Sequence, residues 1–548
     1  MLRNLFITAI FCTYTLLLGN KACWALTVEI DYFSSVAGLE NLFKTEVQLL
    51  AEMQNYIYNL QQHIDVLQSE LNFIHQEHDD ASKDLEGYLN NPINAYRLIK
   101  RLYTDWPTFE ETVTVDATRT NYLENMKELK QNLSFPTQND MVGSTLALVR
   151  LQETYQLDVS QVASGILNGV KYGSSMSWQD CYLVGEYLYA MQDYNHTIPW
   201  LKQSTKMLMS GDFNDAEMTL EFIETIAEYH KTIGDFQSAL ELMDYILSQD
   251  ETRQSARETK MYLEEVINEG KQEGLMYQNS KQQNHYHNTN EYKLYEKVCR
   301  GEFALRSQQQ QQQSLLYCRL YTNNHPYRLL QPYKLEELSL DPYIVFIHDV
   351  ISDHQIEAIK AIAQPHMERS TVFSKDGSHS EITYYRTSKT AWFKYNYHKY
   401  TTQWLQHVNH LTGLNTDNAE DLQIANYGLG GHYEPHFDFF TEDYTDSDME
   451  GNRISTAIFY LADVEEGGGT AFPFLNILVK PRKGAMLFWY NLHASGDGDY
   501  RTKHAACPVL KGSKWIANVW LRELDQFNRR PCDLTTNHEV SLMYKDYD

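Results

Sequence analysis

The sequence predicts a multidomain α + β protein whose first half is helical and whose second half is built of short strands. Three patterns carry that prediction. From Leu39 the apolar residues recur as Leu39, Phe43, Leu50, Met53, Ile57, Leu60, Ile64, Leu67, Leu71 and Ile74. Steps of four and three of this kind make one continuous stripe on a long helix, the spacing of a coiled coil. Glu46 is the single break. Such a stripe is either a dimerisation helix or one arm of an intramolecular helical hairpin. In the second pattern, Gly185, Asp193, Tyr194 and Leu201 are followed about forty residues later by Ala227, Gly234, Asp235, Phe236 and Ala239. A small residue where helices cross, then a Gly-Asp-aromatic turn, is a degenerate tetratricopeptide-like pattern. The first copy is the looser, with Gln192 where glycine is usual. Two helix pairs form a short groove rather than a long solenoid.

The third pattern begins near residue 340. Tyr343-Ile-Val-Phe-Ile347 reads as a strand, and Ile351, Ile356, Ile359 and Ile362 as one helix face. Short alternating runs follow between glycines, at Ile454–Leu461, Ala485–Tyr490 and Trp515–Leu521. Many short strands after one early helix predict a sandwich or jelly roll. Residues 251–335, rich in Gln, Asn, His and Tyr and holding the run Gln308–Gln313, read as a linker. The expected organisation is therefore 1–25 a signal peptide, 26–140 a helical coiled-coil dimerisation region and 141–250 a tetratricopeptide-like domain. The linker 251–335 and the β domain 336–548 complete the chain.

The 548 residues are 43% apolar, enough for several packed cores, and carry a net charge of −27. Of the 73 acidic side chains, 34 fall in residues 26–250, against 13 basic ones. Acidity on this scale repels phosphate backbones and disfavours nucleic acid as a partner. In the β domain, acids cluster in Thr441–Glu450, as a cover over the site or a solvated turn. At the N-terminus, Arg3, an apolar run from Leu5 to Leu18 and small residues at Ala22 and Ala25 have the layout of a secretory signal. A membrane anchor is the alternative, although the run is short for a span. Secretion accounts for Asn-x-Ser/Thr sequons at Asn132 and Asn195. Removing the signal takes Cys12 and Cys23 with it and leaves five cysteines. Two local disulfides and a spare thiol then follow for an oxidising lumen, the nearest pairs being Cys299–Cys318 and Cys507–Cys532. Cys181 lies in a helical pattern and is expected to be buried.

His436-Phe-Asp438 is a His-x-Asp pair, and on a strand residues two apart face the same way. His63-Ile-Asp65 and His78-Asp-Asp80 have the same spacing but lie in the helical region, where such residues diverge. Gly428, Gly430 and Gly431 lead into the pair, and Tyr427 and Tyr433 flank it. His504 is the candidate third ligand. Two histidines and one carboxylate bind Fe(II) on one face and leave positions open for a chelating cosubstrate and O₂. The alternative is surface histidines with no metal. Lys514 opens a strand in which Lys514, Ile516, Asn518, Trp520 and Arg522 share one face. A lysine turned inward there needs an anion; otherwise it faces solvent.

The segment Asn426-Tyr-Gly-Leu-Gly-Gly-His-Tyr-Glu-Pro-His-Phe-Asp438 resembles the iron-site motif of collagen prolyl 4-hydroxylase alpha subunits. So do Gly451-Asn-Arg-Ile454, Phe488-Trp-Tyr-Asn-Leu492, His504-Ala-Ala-Cys-Pro-Val-Leu510 and Arg529-Arg-Pro-Cys532. The resemblance extends to the cysteine pairs, the helical repeats and the coiled coil. It implies a double-stranded β-helix dioxygenase using Fe(II), 2-oxoglutarate, O₂ and ascorbate to hydroxylate C4 of peptidyl proline in X-Pro-Gly sequences, with release of succinate and CO₂. It implies His436, Asp438 and His504 as iron ligands, Lys514 and Tyr427 on the distal carboxylate of 2-oxoglutarate, and Arg453 near the substrate proline. Arg522 departs from the family, which often has histidine there, and is taken as a second substrate contact. The repeats resemble the family's peptide-substrate-binding domain, which makes Tyr182 and Tyr189 groove residues for proline-rich, collagen-like peptide. The equivalent second-repeat positions read as Glu224, Glu228 and Lys231, an acidic set that points to altered peptide preference. The resemblance further implies protein disulfide isomerase as beta subunit, an alpha2-beta2 assembly through the coiled coil, and the endoplasmic reticulum lumen. Retention there would be supplied by the isomerase, since the sequence closes on Met543-Tyr-Lys-Asp-Tyr-Asp548 without a Lys-Asp-Glu-Leu-like signal. A divergent peptide-binding relative without turnover and a 2-oxoglutarate oxygenase with a non-collagen substrate are the alternatives.

Overall fold

A computed structural model describes residues 34–83, 117–132, 135–171, 175–210, 216–269, 285–302, 315–373, 380–381, 383–441 and 451–534. The expected signal, the glutamine run and all but the first residue of the acidic stretch 441–450 lie outside these residues. Among the described residues no helix is long and apolar enough to cross a membrane.

The heptad stripe forms helix α1 (Val36–Lys83), 48 residues long. Helix α2 (Ala117–Asn132) packs on it through a Tyr56–Tyr122 stack at 4.7 Å and an Asn125–Glu52 hydrogen bond. That contact leaves most of the stripe uncovered: Phe43 is 68% exposed, Leu50 58% and Ile57 57%. Helix α3 (Gln138–Tyr155) starts at a Thr137/Asp140 capping box, and its apolar side turns toward the rest of the chain.

The repeat pattern folds as two helix pairs, α4 (Trp178–Ala190) with α5 (Tyr194–Ser210) and α6 (Ala216–Ile233) with α7 (Phe236–Gln249). Gly185 is needed where α4 and α5 cross, because a Cβ there would stand 2.7 Å from Leu201 Cδ2. The second turn places Gly234 at φ +98° before the capping residue Asp235. In the first turn Gln192 takes φ +63° itself, so the looser copy keeps the geometry without the residue that makes it easy. Helix α8 (Gln254–Asn268) then buries Ala256 and Leu263 against the second pair.

The linker expected over 251–335 is thus partly folded. Besides α8 it holds α9 (Asn290–Cys299), one strand of the large sheet and the start of a second. Its polar composition hid an amphipathic helix: Tyr292, Tyr295 and Val298 recur every three residues and pack against Ala471, Ala505 and Cys507. The expected cysteine pairs are also corrected. Cys299 is bonded to Cys507, 208 residues away, with Cα atoms 5.6 Å apart, and Cys318 and Cys532 are free and exposed. Neighbours in sequence are separated by the fold, because α9 ends against Cys507, just past the strand His504–Ala506, while Cys318 starts an edge strand. Cys181 is buried, as expected.

Among the described residues the C-terminal half is built on two main antiparallel sheets, beside which lie two two-stranded ones, Val372–Phe373 with Ser380–Glu381 and Glu466–Gly467 with Val509–Lys511. The strands of the two main sheets are β1 (Cys318–Tyr321), β2 (Tyr333–Leu340), β3 (Tyr343–His348), β4 (Glu368–Arg369), β5 (Lys389–Phe393), β6 (Leu422–Tyr427) and β7 (Tyr433–His436). They continue as β8 (Arg453–Tyr460), β9 (Thr470–Phe472), β10 (Ile477–Val479), β11 (Met486–Tyr490), β12 (His504–Ala506) and β13 (Lys514–Arg522). The large sheet has the order β1-β2-β3-β11-β8-β13-β6-β5-β4, and the small one β7-β12-β9-β10. One face of the large sheet packs on helices α10 (Asp353–Ala363) and α11 (Lys399–Thr412) through Ile356, Ile359, Trp404 and Val408. Its other face joins the small sheet in a second core around Tyr427, Tyr460, Phe472 and Trp489. Side chains alternate between these cores along β13. Trp515, Ala517 and Val519 enter the helix-packed core, and Ile516 enters the core between the sheets.

Candidate active site

The small sheet and the turn after β7 bring His436, Asp438 and His504 together, with one potential ligand atom from each lying within 4.8 Å of the others. His436 ends β7 and His504 begins β12, and the two are direct partners in the β7–β12 ladder. Asp438 follows two residues on, its Oδ1 3.7 Å from His436 Nε2 and its Oδ2 3.5 Å from His504 Nε2. Among the described residues no other group of His, Cys, Asp and Glu is disposed in this way.

Each of the three side chains is oriented from behind. His436 Nδ1 lies 2.7 Å from the Glu434 carbonyl and His504 Nδ1 3.0 Å from the Thr502 carbonyl. A carbonyl only accepts, so both Nδ1 atoms carry hydrogen and both Nε2 lone pairs face the common point. Thr456 Oγ1 donates to Asp438 Oδ2 at 2.7 Å and accepts from Asn491 Nδ2 at 2.9 Å. The rings are fixed by stacking, His436 on Tyr433 at 3.5 Å and His504 edge-on to Trp489 at 4.7 Å. Burial and the neighbouring His504 push His436 down to about 3, so its ring is neutral. Burial raises the Asp438 carboxyl, but His504, His436 and Arg453 outweigh it and hold the group at about 2. Two imidazole nitrogens and one carboxylate are a donor set that suits Fe(II).

Lys514 is almost completely buried, with only 1% of its surface exposed, and faces Tyr427 across the β6–β13 ladder. Its ammonium lies 5.3 Å from the Tyr427 ring centre and makes no ion pair or hydrogen bond among the described residues. Burial alone pushes it down to about 7. An unneutralised cation in this position suits an anionic ligand. Of the two orientations that the sequence left open for Lys514, inward or toward solvent, the structure has the inward one.

Arg453 and Arg522 meet on a residue that sequence reasoning missed, Glu420. Arg453 forms a bidentate pair with it at 2.6 and 2.7 Å, and Arg522 Nε lies 3.0 Å from the same carboxylate. Arg453 also donates to the Asp438 carbonyl at 3.3 Å and stacks over Trp520. Arg522 donates to the Gly451 carbonyl at 2.7 Å. Both guanidiniums are therefore engaged by protein groups beside the triad. Thr456 and Asn491 were missed as well; the signal for Thr456 was parity on its strand, and Asn491 lay unassigned within the segment Phe488–Leu492.

In the helical domain, Tyr182 and Tyr189 lie on one side of α4 and meet Tyr229 of α6, with ring centres 6.2 and 4.7 Å apart. Phe222 completes the cluster, 6.3 Å from Tyr182. Phe222 and Tyr229 are seven residues apart, like Tyr182 and Tyr189, so the second-repeat face that meets the tyrosines is aromatic. The acidic set is displaced from it: Glu224 pairs with Arg253 at 3.0 Å and Glu228 with Lys231. Asn132 and Asn195 are both exposed.

A double sheet with two histidines and a carboxylate at its edge and a buried lysine within defines a 2-oxoglutarate- and Fe(II)-dependent oxygenase domain. Residues 422–522 match the 2OG-Fe(II) oxygenase superfamily. The chain also matches the N-terminal region of the prolyl 4-hydroxylase alpha subunit over residues 35–169, and the prolyl 4-hydroxylase peptide-substrate-binding domain over 178–269. Prolyl 4-hydroxylase subunit alpha-1 of Homo sapiens is 36% identical over 521 residues, covering 92% of this chain and 96% of the human one. That of Gallus gallus is 37% identical over 519 residues, with 92% and 99% covered. Subunit alpha-2 of Caenorhabditis elegans is 33% identical over 512 residues, with 92% and 94% covered. The chain belongs to the prolyl 4-hydroxylase alpha-subunit family.

Proposed function

We propose that this chain is the catalytic alpha subunit of a procollagen-type prolyl 4-hydroxylase, acting on X-Pro-Gly sequences of collagen-like peptide. The observation that carries the reading is the pairing of the His436/Asp438/His504 triad with a buried, unneutralised Lys514. Fe(II), when bound with 2-oxoglutarate and O₂, supplies the oxidation that turns a proline C4–H into C4–OH while 2-oxoglutarate becomes succinate and CO₂. The chain's own residues do the rest. His436, His504 and Asp438 present three ligands on one side. Lys514 and Tyr427 bind the distal carboxylate of 2-oxoglutarate deep between the sheets. The tryptophan- and tyrosine-lined interior limits water. Arg453, held by Glu420 against Trp520, and Arg522 beside it border the position of the substrate proline.

Tyr182, Tyr189, Phe222 and Tyr229 offer aromatic faces to a proline-rich strand, whose polyproline II shape is preformed. Ascorbate is the expected reductant. The exposed stripe on α1 supports an alpha–alpha contact within an alpha2-beta2 assembly, with protein disulfide isomerase as beta subunit. The endoplasmic reticulum lumen, a cleaved signal and glycans on Asn132 and Asn195 belong to the same reading. Its test is succinate release from 2-oxoglutarate in the presence of a (Pro-Pro-Gly)n peptide, with 4-hydroxyproline identified by mass spectrometry. Both products are expected from the wild type and neither from His436→Ala. Turnover that survives the substitution would overturn the metal assignment.

A further inference from the structure

The two histidines sit on a short ribbon. β7 has four residues and β12 three, and their register slips between Tyr433 and His436. β12 is also paired with β9 through Thr470–Ala506 and Ala471–Ala505, so the ribbon is held along that side, and the position of the Nε2 atoms depends further on what grips its base. The base is where β7 begins and β12 ends, since the strands are antiparallel. There the Val509 amide donates to the Gly431 carbonyl at 3.0 Å.

Helix α3 grips that base on both strands. Arg150 donates from a terminal guanidinium nitrogen to the Gly430 carbonyl at 2.8 Å, just before β7. Tyr155 Oη donates to the Pro508 carbonyl at 2.6 Å, just after β12. The approach leaves no slack: Gly430 adopts φ +55°, and a Cβ there would stand 3.0 Å from the Ala147 carbonyl oxygen. Leu151 and Tyr155 pack with Leu510, and Leu429 lies against them. The same turn of α3 also holds the peptide domain. Gln152 accepts from Trp200 Nε1 at 2.9 Å, and Glu153 lies 3.5 Å from His196, both partners being on α5. Four residues within two turns of one helix thus fasten the histidine ribbon on one side and the first helix pair on the other.

We propose that α3 is a positioning element of the metal centre, acting through Arg150 on Gly430 and Tyr155 on Pro508, although neither residue touches the metal ligands. The inference rests on the metal assignment made above. Its consequence is that residues 138–155, which precede the oxygenase domain by more than 150 positions, belong to the catalytic unit. They also set the peptide groove at a fixed orientation to it.

The test uses the full chain in its native assembly, comparing wild type, Arg150→Ala, Arg150→Lys and Tyr155→Phe. Fe(II) is titrated anaerobically with 2-oxoglutarate present, reading the charge-transfer absorbance, and the succinate-to-hydroxyproline ratio is measured in separate turnovers. Arg150→Ala is expected to weaken Fe(II) binding about five- to tenfold, below or at the low end of the roughly 10–100-fold typical of groups that touch a ligand directly. It should also raise the ratio of succinate to hydroxyproline. Arg150→Lys, which keeps a donor for Gly430, is expected to recover most of both. Tyr155→Phe deletes one hydroxyl and is expected to act in the same direction with the fold intact, so it decides the matter if Arg150→Ala does not fold. Fe(II) affinity and coupling within about twofold of wild type in folded Arg150→Ala or Tyr155→Phe overturn the inference while leaving the functional reading standing. A wild type that holds no Fe(II) overturns both.

Discussion

Replacing Lys514 by methionine separates two consequences of one buried charge. In the unfolded chain the ammonium has its ordinary value of 10.5, and in the fold burial lowers it to about 7. A base with a lowered folded value binds fewer protons when folded than when unfolded. Its penalty is therefore absent above about pH 10.5, grows as pH falls and is complete below about pH 7. At about pH 7.5 the linkage amounts to about 4 kcal/mol against folding. Methionine has similar length and no charge, so without cosubstrate the variant is expected to be more stable than wild type by up to about 4 kcal/mol. The gain should shrink as pH approaches 10. Added 2-oxoglutarate neutralises Lys514 and stabilises the wild type by mass action, but should leave the variant unmoved. Unfolding of the oxygenase domain followed by tryptophan fluorescence, at several pH values with and without 2-oxoglutarate, reads both effects. A variant that is less stable without cosubstrate and still responds to it would refute the assignment of Lys514 as the carboxylate partner.

Three further outcomes are expected. Thr456→Val removes the donor to Asp438 and should weaken Fe(II) binding by roughly 10–100-fold, with only a small change in melting temperature; unchanged metal affinity would show that Asp438 is held by other means. Cys299→Ser opens a loop of more than 200 residues between Cys299 and Cys507, which should cost about 2–5 kcal/mol of oxygenase-domain stability in denaturant titration. The same substitution would leave stability untouched if Cys299 were unbonded. Tyr229→Ala should weaken (Pro-Pro-Gly)n binding about tenfold by calorimetry, whereas Glu228→Tyr, outside the aromatic face, should change it little.

Much of the site was legible because its signals are local. The His-x-Asp pair stood out by its strand setting and glycine-rich lead-in, and parity placed Lys514, Ile516, Asn518, Trp520 and Arg522 on one face without saying which way that face turns. The paired helices were legible for the same reason, through Gly185 and the Gly234-Asp235 turn. The long stripe from Leu39 was legible as a helix, but a stripe does not say what covers it. The second-repeat groove positions were misphased because Glu224, Glu228 and Lys231 recur with helical spacing, as do Phe222 and Tyr229. Only the packing of α6 on α4 shows which set meets Tyr182 and Tyr189.

By itself, then, the sequence determined the order of the helical and strand regions and offered the His436/Asp438 pair, which follow from periodicity or spacing within a few residues; His504 and Lys514 joined that pair only through the family resemblance. The tertiary structure alone decided the Cys299–Cys507 bond, the Glu420 carboxylate shared by Arg453 and Arg522, and the seat of α3 on the histidine ribbon. Each of these joins segments distant in sequence. Their partners are chosen by burial and backbone geometry after the elements have packed, and no spacing along the chain encodes that choice.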